Sequence, residues 1–580
     1  MGHTRESGAG RQRSLPGWRV AAAAALVTLV AACGGSGGGG TGSDTGTTTS
    51  PPPAAPVAVP PSAADASRFL AQATFGMRSV DEVAALRASG YDAWLEAQFA
   101  MPAALHTSYL DVQRVRENGG RATEEMSYEA VWQQWLNGSD QLRARVAFAL
   151  GQIVVISNIA PDLRPYAMSS YMDMLNRNAF GNYRTLLKDV ALHPAMGYYL
   201  NMMGSEKDDP ARGIHPNENF AREVLQLFSI GLVQLNPDGS TRLGSDGKPL
   251  PTYGEAEVKA YAKAFSGWHF GTLDTSRPNQ FYDHDDNLDA NWVVPMKAFP
   301  SKHATVAKTL LDGKVLPAGQ SADKDMDDAI DSIVNHPNVG PFIGRQLIQR
   351  LVTSNPSPAY IGRVAAAFAN NGVGVRGDLK AVVRAVLLDP EARDPALGAN
   401  GRHGKQREPV IRFAAFLRGL GARSANGRND IHYLDSADEG LGQSPLLAPS
   451  VFNFFSPNFR QPGAVAQAGL VSPEFQITTE TTVVGSLNFF ADFFNQGGYG
   501  SGASRLVLDY GPLLSLAADP AALCDRLDAL FYASQMGAST RARLQRMLAA
   551  LPSATPEDRL ARVKAALIVT AMSPDHVILR

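Results

Sequence analysis

The sequence of 580 residues is 44% hydrophobic and 19% charged, a composition typical of globular proteins that excludes disorder along the whole chain. Its formal net charge is −2, and loss of residues 1–32, with four arginines and one glutamate, would make it −5. Because surfaces that bind nucleic acid carry a basic excess, we expect no nucleic-acid partner. Only Cys33 and Cys524 are present, so no disulfide is expected to support the fold.

Residues 1–32 have the form of an export signal. Four arginines precede an apolar run from Val20 to Ala32. The run is too short for a bilayer-spanning helix, which needs about 20 residues. The run ends in Val30-Ala31-Ala32-Cys33, the pattern of a bacterial lipoprotein box, in which a peptidase cuts before Cys33 and the thiol carries the lipid. We predict a membrane anchor at Cys33, with an ordinary secretory signal as the alternative. Gly34 replaces the aspartate that retains lipoproteins at the inner membrane, so an outer-membrane location is expected.

The segment 33–62 is rich in glycine and serine at its start and in proline at its end. Such a composition has almost nothing to bury and predicts a disordered linker, flexible near the lipid and stiffer near the domain. The globular part then covers 63–580, which is too long for one small core and favours two or more lobes.

Helical periodicity dominates that globular part. In Asn219–Gly231 the apolar residues Phe220, Val224 and Phe228 fall on one arc, and Gly231 is a natural end for the helix. The clearest strand signal is a hairpin over Leu235–Tyr253, which contains two Asp-Gly turns. Residues 279–302 are aromatic, acidic and aperiodic, which predicts a long ordered loop. We therefore predict an all-α fold, a large multi-helical body with one or two small β-hairpins.

A succession of short phrases along the chain resembles a known family. In order, they are His193-Pro-Ala-Met196, Asn217-Glu-Asn-Phe-Ala-Arg-Glu223, Tyr253-Gly-Glu-Ala-Glu-Val258, Ala264-Phe-Ser-Gly-Trp268, His336-Pro-Asn-Val339, Arg345-Gln-Leu347, Arg407-Glu-Pro409 and Ser573-Pro-Asp-His576. Their order and spacing are similar to those of the large bacterial family catalogued as domain of unknown function 1800. The resemblance extends from about Ser67 to Arg580.

The resemblance implies a mostly helical, exported protein. It also implies a gene neighbour from a second exported family, related to sulfatases and alkaline phosphatases, which would be a reasonable protein partner. The family offers no established catalytic residues. Many members have a histidine-acid-glycine-lysine phrase after the tryptophan motif, whereas this chain has Asp283-His-Asp-Asp-Asn287 and Met296-Lys-Ala298.

Glu223, His215 and His269 are the candidate catalytic residues. Glu223 lies on the polar face of the helix predicted after Asn217, where it could act as an acid or base with either histidine. The alternative is a polar network that joins two helices, since unpaired buried polar groups cost about 1–3 kcal/mol each.

Asp283, His284, Asp285 and Asp286 are the densest cluster of metal-ligand types. Carboxylates suit calcium or magnesium, and the histidine would favour zinc or manganese. The spacing matches no calcium-loop motif, so a solvated acidic loop is the favoured interpretation and no cofactor is expected.

Other motifs indicate structure. Gly372-Val-Gly374-Val-Arg-Gly377 lacks the preceding strand of a dinucleotide site, so we expect no nucleotide. Phe452, Phe454, Phe455 and Phe459 could bind an apolar or sugar ligand, although core packing is the stronger interpretation. Cys524, in an apolar helical stretch, is expected to be buried and inert.

Three functions remain open from the sequence. The leading hypothesis is a lipid-anchored binding or scaffold protein of the cell envelope, without chemistry of its own, which binds a partner protein or an extracellular polysaccharide. The runner-up is a hydrolase of envelope or environmental polymers that uses Glu223, His215 and His269, with metal assistance as one variant. A purely structural envelope component is the third.

Overall fold

The computed structural model describes residues 60–117, 119–159 and 163–580, without the side chains of 399 and 400. The predicted export signal, Cys33 and residues 33–59 of the predicted linker lie outside these ranges.

Helices dominate the described residues, which confirms the all-α prediction. In chain order they are α1 (Ala63–Ala73), α2 (Asp81–Ala100), α3 (His106–Arg116), α4 (Glu124–Asn137), α5 (Gln141–Gly151), α6 (Pro165–Asn178), α7 (Tyr183–Leu192), α8 (Pro194–Tyr199), α9 (Asn219–Gln226), α10 (Glu255–Ala264), α11 (Asp289–Val293), α12 (Ala322–Asn335), α13 (Val339–Leu351), α14 (Pro358–Ala369), α15 (Leu379–Leu388), α16 (Pro390–Arg393), α17 (Pro409–Gly419), α18 (Ala464–Gln467), α19 (Glu480–Gln496), α20 (Gly511–Leu514), α21 (Pro520–Phe531), α22 (Ala538–Ala550), α23 (Pro556–Met572) and α24 (Pro574–Val577).

Strands in the described ranges are two residues long and pair in antiparallel twos. The pairs are β1 (Trp268–His269) with β2 (Lys297–Ala298), β3 (Lys308–Thr309) with β4 (Val315–Leu316), β5 (Lys405–Gln406) with β8 (Ile578–Leu579), and β6 (Gly498–Tyr499) with β7 (Leu506–Val507). The strand β8, at residues 578–579, thus pairs with β5 in the segment before α17.

Local sequence signals explain several element boundaries. α9 begins at Asn219 as predicted but ends at Gln226 and not at Gly231; turn residues follow it, and Gly231 has a φ of +72°. The predicted hairpin forms through bridges between Val233 and Pro251 and between Leu243 and Pro249. Asp378 caps α15, because its side chain accepts a hydrogen bond from Ala381 N. The glycine-rich phrase before it is therefore a helix connection.

The segment 279–302 differs from the predicted loop. It contains α11 and β2 in addition to two short 3₁₀ turns. The residues of α11 are too few to show a helical period, so periodicity could not reveal this element.

The buried apolar side chains form two clusters. The first gathers residues of α1–α16 and the loops between them. The second centres on α17 and packs it against α4, α19, α21 and α23, with an aromatic group that includes Phe413, Phe416 and Phe490. Cys524 lies buried in this second cluster, and burial raises the pKa of its thiol to about 11. No helix of the described residues is long and apolar enough to cross a membrane.

Candidate functional site

One face of α13 opens onto a cavity of about 540 Å³, which we call the central cavity. Phe342, Arg345, Gln346 and Gln349 follow one another at spacings of three, one and three residues, and therefore lie on the same side of the helix. Arg350, the next residue along α13, also lines the cavity. A helix that carries amides and arginines on a buried face can present polar groups to a ligand.

The second wall is the end of α9 and the hairpin that follows it, including Gln226 and Leu232. Asn338, just before α13, fixes this wall: its Nδ2 donates to Ile230 O at 2.9 Å and to Val233 O at 2.8 Å. Its Oδ1 accepts from Leu235 N at 2.9 Å. A single side chain thus holds the hairpin against the start of α13.

The third wall is the loop 451–458. Phe455 is buried, at 3% exposure, but Phe452 is 56% exposed and lines the central cavity. The core packing expected for the aromatic run therefore describes Phe455 and not Phe452. Asn453, between them, has a φ of +64°, a conformation that a non-glycine residue rarely adopts and that costs about 1–3 kcal/mol.

The central cavity is electropositive. Among the described residues that line it there is no aspartate, glutamate or histidine. Arg345 donates from Nη2 to Asn458 Oδ1 at 2.9 Å and makes no ion pair with any described residue. Burial lowers the pKa of Arg345, and the neighbouring charge of Arg460 adds to this effect. Both causes disfavour the cation, so an anion beside Arg345 would relieve them.

Two amides of the same face have spare hydrogen-bonding capacity. Gln346 Nε2 and Gln349 Oε1 are buried and have no hydrogen-bond partner. The Nε2 of Gln349 donates to Ser354 O and Pro457 O, both at 3.0 Å, which orients the side chain. Unpaired buried polar atoms cost about 1–3 kcal/mol each, and a ligand recovers this cost where the side chain turns its unpaired atom toward the cavity.

Beneath the central cavity lies a network of buried charges. Arg145 Nη2 and Lys405 Nζ both donate to the carbonyl of Arg350 at 2.8 Å. Lys405 Nζ also pairs with Glu474 Oε1 at 2.7 Å, with side chains 3% and 1% exposed. Burial lowers the pKa of Arg350 to about 10, and the charges of Glu408 and Glu474 oppose that shift. Here the carboxylates compensate the cations.

Glu223 lies on α9 outside the lining of the central cavity. Its Oε2 is buried without a hydrogen-bond partner, and so is the hydroxyl of Tyr253. Burial raises the pKa of the Glu223 carboxyl, while Arg222 lowers it. Burial raises the pKa of Tyr253 to about 12, and the charge of Glu223 contributes to the increase. Glu223 therefore has the environment of a proton donor.

The two histidines predicted with Glu223 have other neighbours. His215 is exposed and its Nδ1 lies 2.9 Å from Asp208 Oδ1. His269 is 3% exposed, and its ring packs against Phe281 and His284 with centroids 5.3 Å and 4.2 Å away. Burial lowers the pKa of His269 to about 3, with a smaller contribution from His284. Within the described ranges, no hydrogen bond or ion pair joins any two of the three candidates.

The four predicted metal ligands form a structured loop. His284 Nε2 lies 3.1 Å from Asp286 Oδ1, and Asp285 Oδ1 accepts from Asn287 N at 2.8 Å. Asp283 is exposed. In the part of the chain that the structure describes, no three histidine, cysteine or acidic side chains are placed to hold a metal ion. The divalent metal stays a prediction.

The residues that sequence reasoning missed are those of α13. In the sequence, Arg345 and Gln346 belong only to one of the phrases that carry the family resemblance. The polar residues of α13 interrupt a buried helix, and that interruption is the signal that could have identified the site.

Comparison with known proteins gives a family. The family model described as "Protein of unknown function (DUF1800)" matches residues 68–578. Neither the curated proteins nor the solved structures gave a match.

Proposed function

Since the chain belongs to the DUF1800 family, whose description assigns no activity, we propose a function from the site itself: the protein binds an organic anion in the central cavity, without chemistry of its own. The observation that carries this proposal is the lining of α13. It combines Arg345, which has no acidic partner among the described residues, with the unpaired amide atoms of Gln346 and Gln349 and the exposed ring of Phe452.

The ligand follows from this lining. A guanidinium recognises a carboxylate through two parallel hydrogen bonds, and amides add donors and acceptors for hydroxyl groups. Phe342 and Phe452 offer apolar faces for the body of a ligand or for a sugar ring. A volume of about 540 Å³ is suited to a small molecule or to one end of a polymer. The proposed ligand is thus a carboxylate joined to an apolar or sugar-ring face.

A thermal-shift panel of aliphatic, aromatic and sugar-derived carboxylates tests the proposal. A ligand at one hundred times its Kd adds about 2.7 kcal/mol to the free energy of unfolding, so a binder raises the Tm of the protein. Arg345→Gln should abolish that increase, whereas the exposed Arg546→Gln removes the same charge and should preserve it. The proposal fails if every carboxylate shifts the Tm of the parent protein and of Arg345→Gln equally.

The proposed setting is the outer membrane, with a lipid on Cys33 and an exported hydrolase-like protein or an envelope polysaccharide as partner. The sequence Val30-Ala31-Ala32-Cys33 supports the anchor. Mass spectrometry of protein extracted from membranes should find an N-terminal peptide that begins at acylated Cys33. Retention of residues 1–32 in the mature protein would contradict it.

Affinity capture from the envelope, compared between the parent protein and Arg345→Gln, tests the partner.

A hydrolase with Glu223 as its acid is the second candidate. The unpaired Oε2 of Glu223 and the unpaired hydroxyl of Tyr253 favour it. Glu223→Gln removes the transferable proton with little change of shape, so it should lower polymer hydrolysis at least 100-fold. Equal hydrolysis by both proteins would exclude this role for Glu223 and leave the binding proposal untouched.

A further inference from the structure

A second cavity of about 540 Å³ lies against the other hydrophobic cluster, between the turn after α1, the end of α4 and the loop after α17. We call it the arginine cleft. Arg78, Arg418 and Arg423 line it together with Asn137 and Ser424. Among the described residues that form its lining, there is no acidic side chain.

Arg418 is the buried member, at 4% exposure. Its Nε donates to Gly76 O at 2.6 Å, and its Nη1 donates to the carbonyls of Trp135 and Leu136 at 2.9 and 3.1 Å. Its Nη2 has no hydrogen bond to a described residue, and no described carboxylate forms an ion pair with it. Burial lowers the pKa of Arg418 to about 10. A buried cation without a counterion is costly, because carbonyl dipoles replace only part of its hydration.

A second guanidinium increases this cost. Arg78 Nη2 donates to Leu136 O at 2.9 Å, the same oxygen that accepts from Arg418. Two like charges thus converge on one carbonyl, where their repulsion disfavours both. The carboxylate of Glu82 accepts from the backbone N of Arg78 at 3.0 Å, and its charge opposes the lowering of the Arg418 pKa. Glu82 forms no ion pair with Arg418 among the described residues and does not line the arginine cleft.

Arg423 is the third arginine that lines the arginine cleft. It is exposed, and its side chain makes no hydrogen bond or ion pair with the described residues. Its position is set by the backbone, because Arg423 N donates to Val507 O at 3.1 Å and Arg423 O accepts from Val507 N at 2.8 Å. A fixed backbone with a free guanidinium leaves the charge available for a ligand.

We propose that the arginine cleft is a binding site for a tetrahedral oxyanion, the phosphate group of a ligand. Arg423 offers a free planar, two-pronged guanidinium, and Arg418 Nη2 and Arg78 Nη1 add N–H donors that phosphate oxygens accept, with no carboxylate among the described lining residues. A bound phosphate would supply the counterion that Arg418 lacks and would screen it from Arg78. This site is separate from the central cavity and does not depend on the function proposed for it.

Free phosphate and the headgroup of an anionic lipid present the same chemistry. Two arms distinguish them. Isothermal titration of the purified protein with inorganic phosphate at low ionic strength tests the free anion. Co-sedimentation with phosphatidylglycerol vesicles, compared with phosphatidylcholine vesicles, tests the headgroup. Binding in either arm should weaken as salt is added, because the attraction is electrostatic.

The test variant is Arg78→Gln combined with Arg423→Gln, since both side chains are exposed and the fold should tolerate their replacement. The double variant should bind the successful probe at least 10-fold more weakly. Arg546→Gln, on the exposed surface of α22, should bind within 2-fold of the parent protein. Unchanged unfolding of the double variant in urea will show that its fold is intact.

Each result decides the proposal. Loss of phosphate binding in the double variant supports a free anion, and loss of phosphatidylglycerol binding alone supports a headgroup. The proposal is overturned if neither probe binds the parent protein, or if the double variant binds as tightly as Arg546→Gln does.

Discussion

The central cavity and the arginine cleft have the same volume of about 540 Å³ but differ in how they treat charge. Below the central cavity, Lys405, Arg350 and Arg145 are buried with Glu408 and Glu474. In the arginine cleft, Arg418 donates its hydrogen bonds to carbonyl groups and forms no ion pair with a described carboxylate, although the charge of Glu82 partly offsets the effect of burial on its pKa. The difference separates cations that hold the fold together from cations that remain available to an external anion.

This comparison also explains why the two cavities suit different ligands. The exposed ring of Phe452 and the buried amides of Gln346 and Gln349 line the central cavity, with Arg345 as a cation that forms no ion pair among the described residues. A ligand there needs an apolar body as well as a charge. The arginine cleft offers little apolar surface beyond Leu136, Leu417 and Ala422, so the charge of the ligand carries the recognition.

The largest expected effect is on the compensated charges. Glu474→Ala leaves Lys405 buried without its partner, and loss of one member of a buried ion pair costs about 3–5 kcal/mol. Urea denaturation will measure the change in the free energy of unfolding. Glu474→Gln keeps an oxygen that accepts from Lys405 and should lose less. If Glu474→Ala lowered the free energy of unfolding by less than about 1 kcal/mol, the buried carboxylates below the central cavity would not be what stabilises the cations there.

A glycine from each cavity gives the next contrast. Gly231 and Gly427 have φ values of +72° and +75°, so alanine is strained at both, by about 1 kcal/mol. At Gly231 the added Cβ would also lie 2.7 Å from Phe342 Cε2, whereas nothing lies within 4 Å at Gly427. Gly231→Ala should therefore destabilise the protein by about 1–2 kcal/mol more than Gly427→Ala. Equal losses in urea denaturation would contradict the close packing at the cavity wall.

The sequence predicted local structure better than it predicted either cavity. Periodicity gave the start of α9, and the Asp-Gly turns gave the hairpin after Gly231, because these signals involve neighbours along the chain. The central cavity joins α13 to residues near 231 and 452, and the arginine cleft joins Arg78 to Arg418. Such contacts depend on packing between distant segments, which a single sequence does not encode in a readable pattern.

The candidate catalytic residues also show that contacts between distant segments cannot be predicted from the sequence. Glu223 was chosen from the polar face of its helix; its Oε2 is buried without a hydrogen-bond partner, and its catalytic role stays a prediction. His215 and His269 were grouped with it by residue type alone. One is exposed beside Asp208 and the other is packed among aromatic rings. Residue type suggests a chemistry, but only tertiary packing decides which side chains share a site.

The pH dependence of stability should come from outside both cavities, since no acid or histidine lines either one in the described chain. Burial lowers the pKa of His269 from its ordinary value near 6.5 to about 3. Below pH 6.5 the unfolded chain takes up a proton that the folded protein refuses, so stability falls as the pH decreases toward 3. Between pH 6 and pH 5, the free energy of unfolding from urea denaturation should fall by about 1 kcal/mol less in His269→Gln than in the parent protein. An identical decrease in both proteins would mean that His269 is accessible to protons when folded.

The smallest effect on stability is expected at Phe452, together with a measurable effect on ligand binding. The ring is 56% exposed, so Phe452→Ser should change the free energy of unfolding by no more than about 0.5 kcal/mol. It should nevertheless weaken the best carboxylate of the thermal-shift panel about 10-fold, because the ring supplies the apolar contact that Arg345 cannot.

A matched control separates this contact from a general loss of apolar surface. Val484, on α19, is 58% exposed and does not line the central cavity, so Val484→Ser should leave carboxylate affinity unchanged. Phosphate affinity should be the same in both variants, because Phe452 does not line the arginine cleft. If Phe452→Ser weakened both ligands equally, the two cavities would have to be coupled or misassigned. If it weakened neither, the aromatic wall would serve packing after all, and Arg345 with its neighbouring amides would have to account for binding without it.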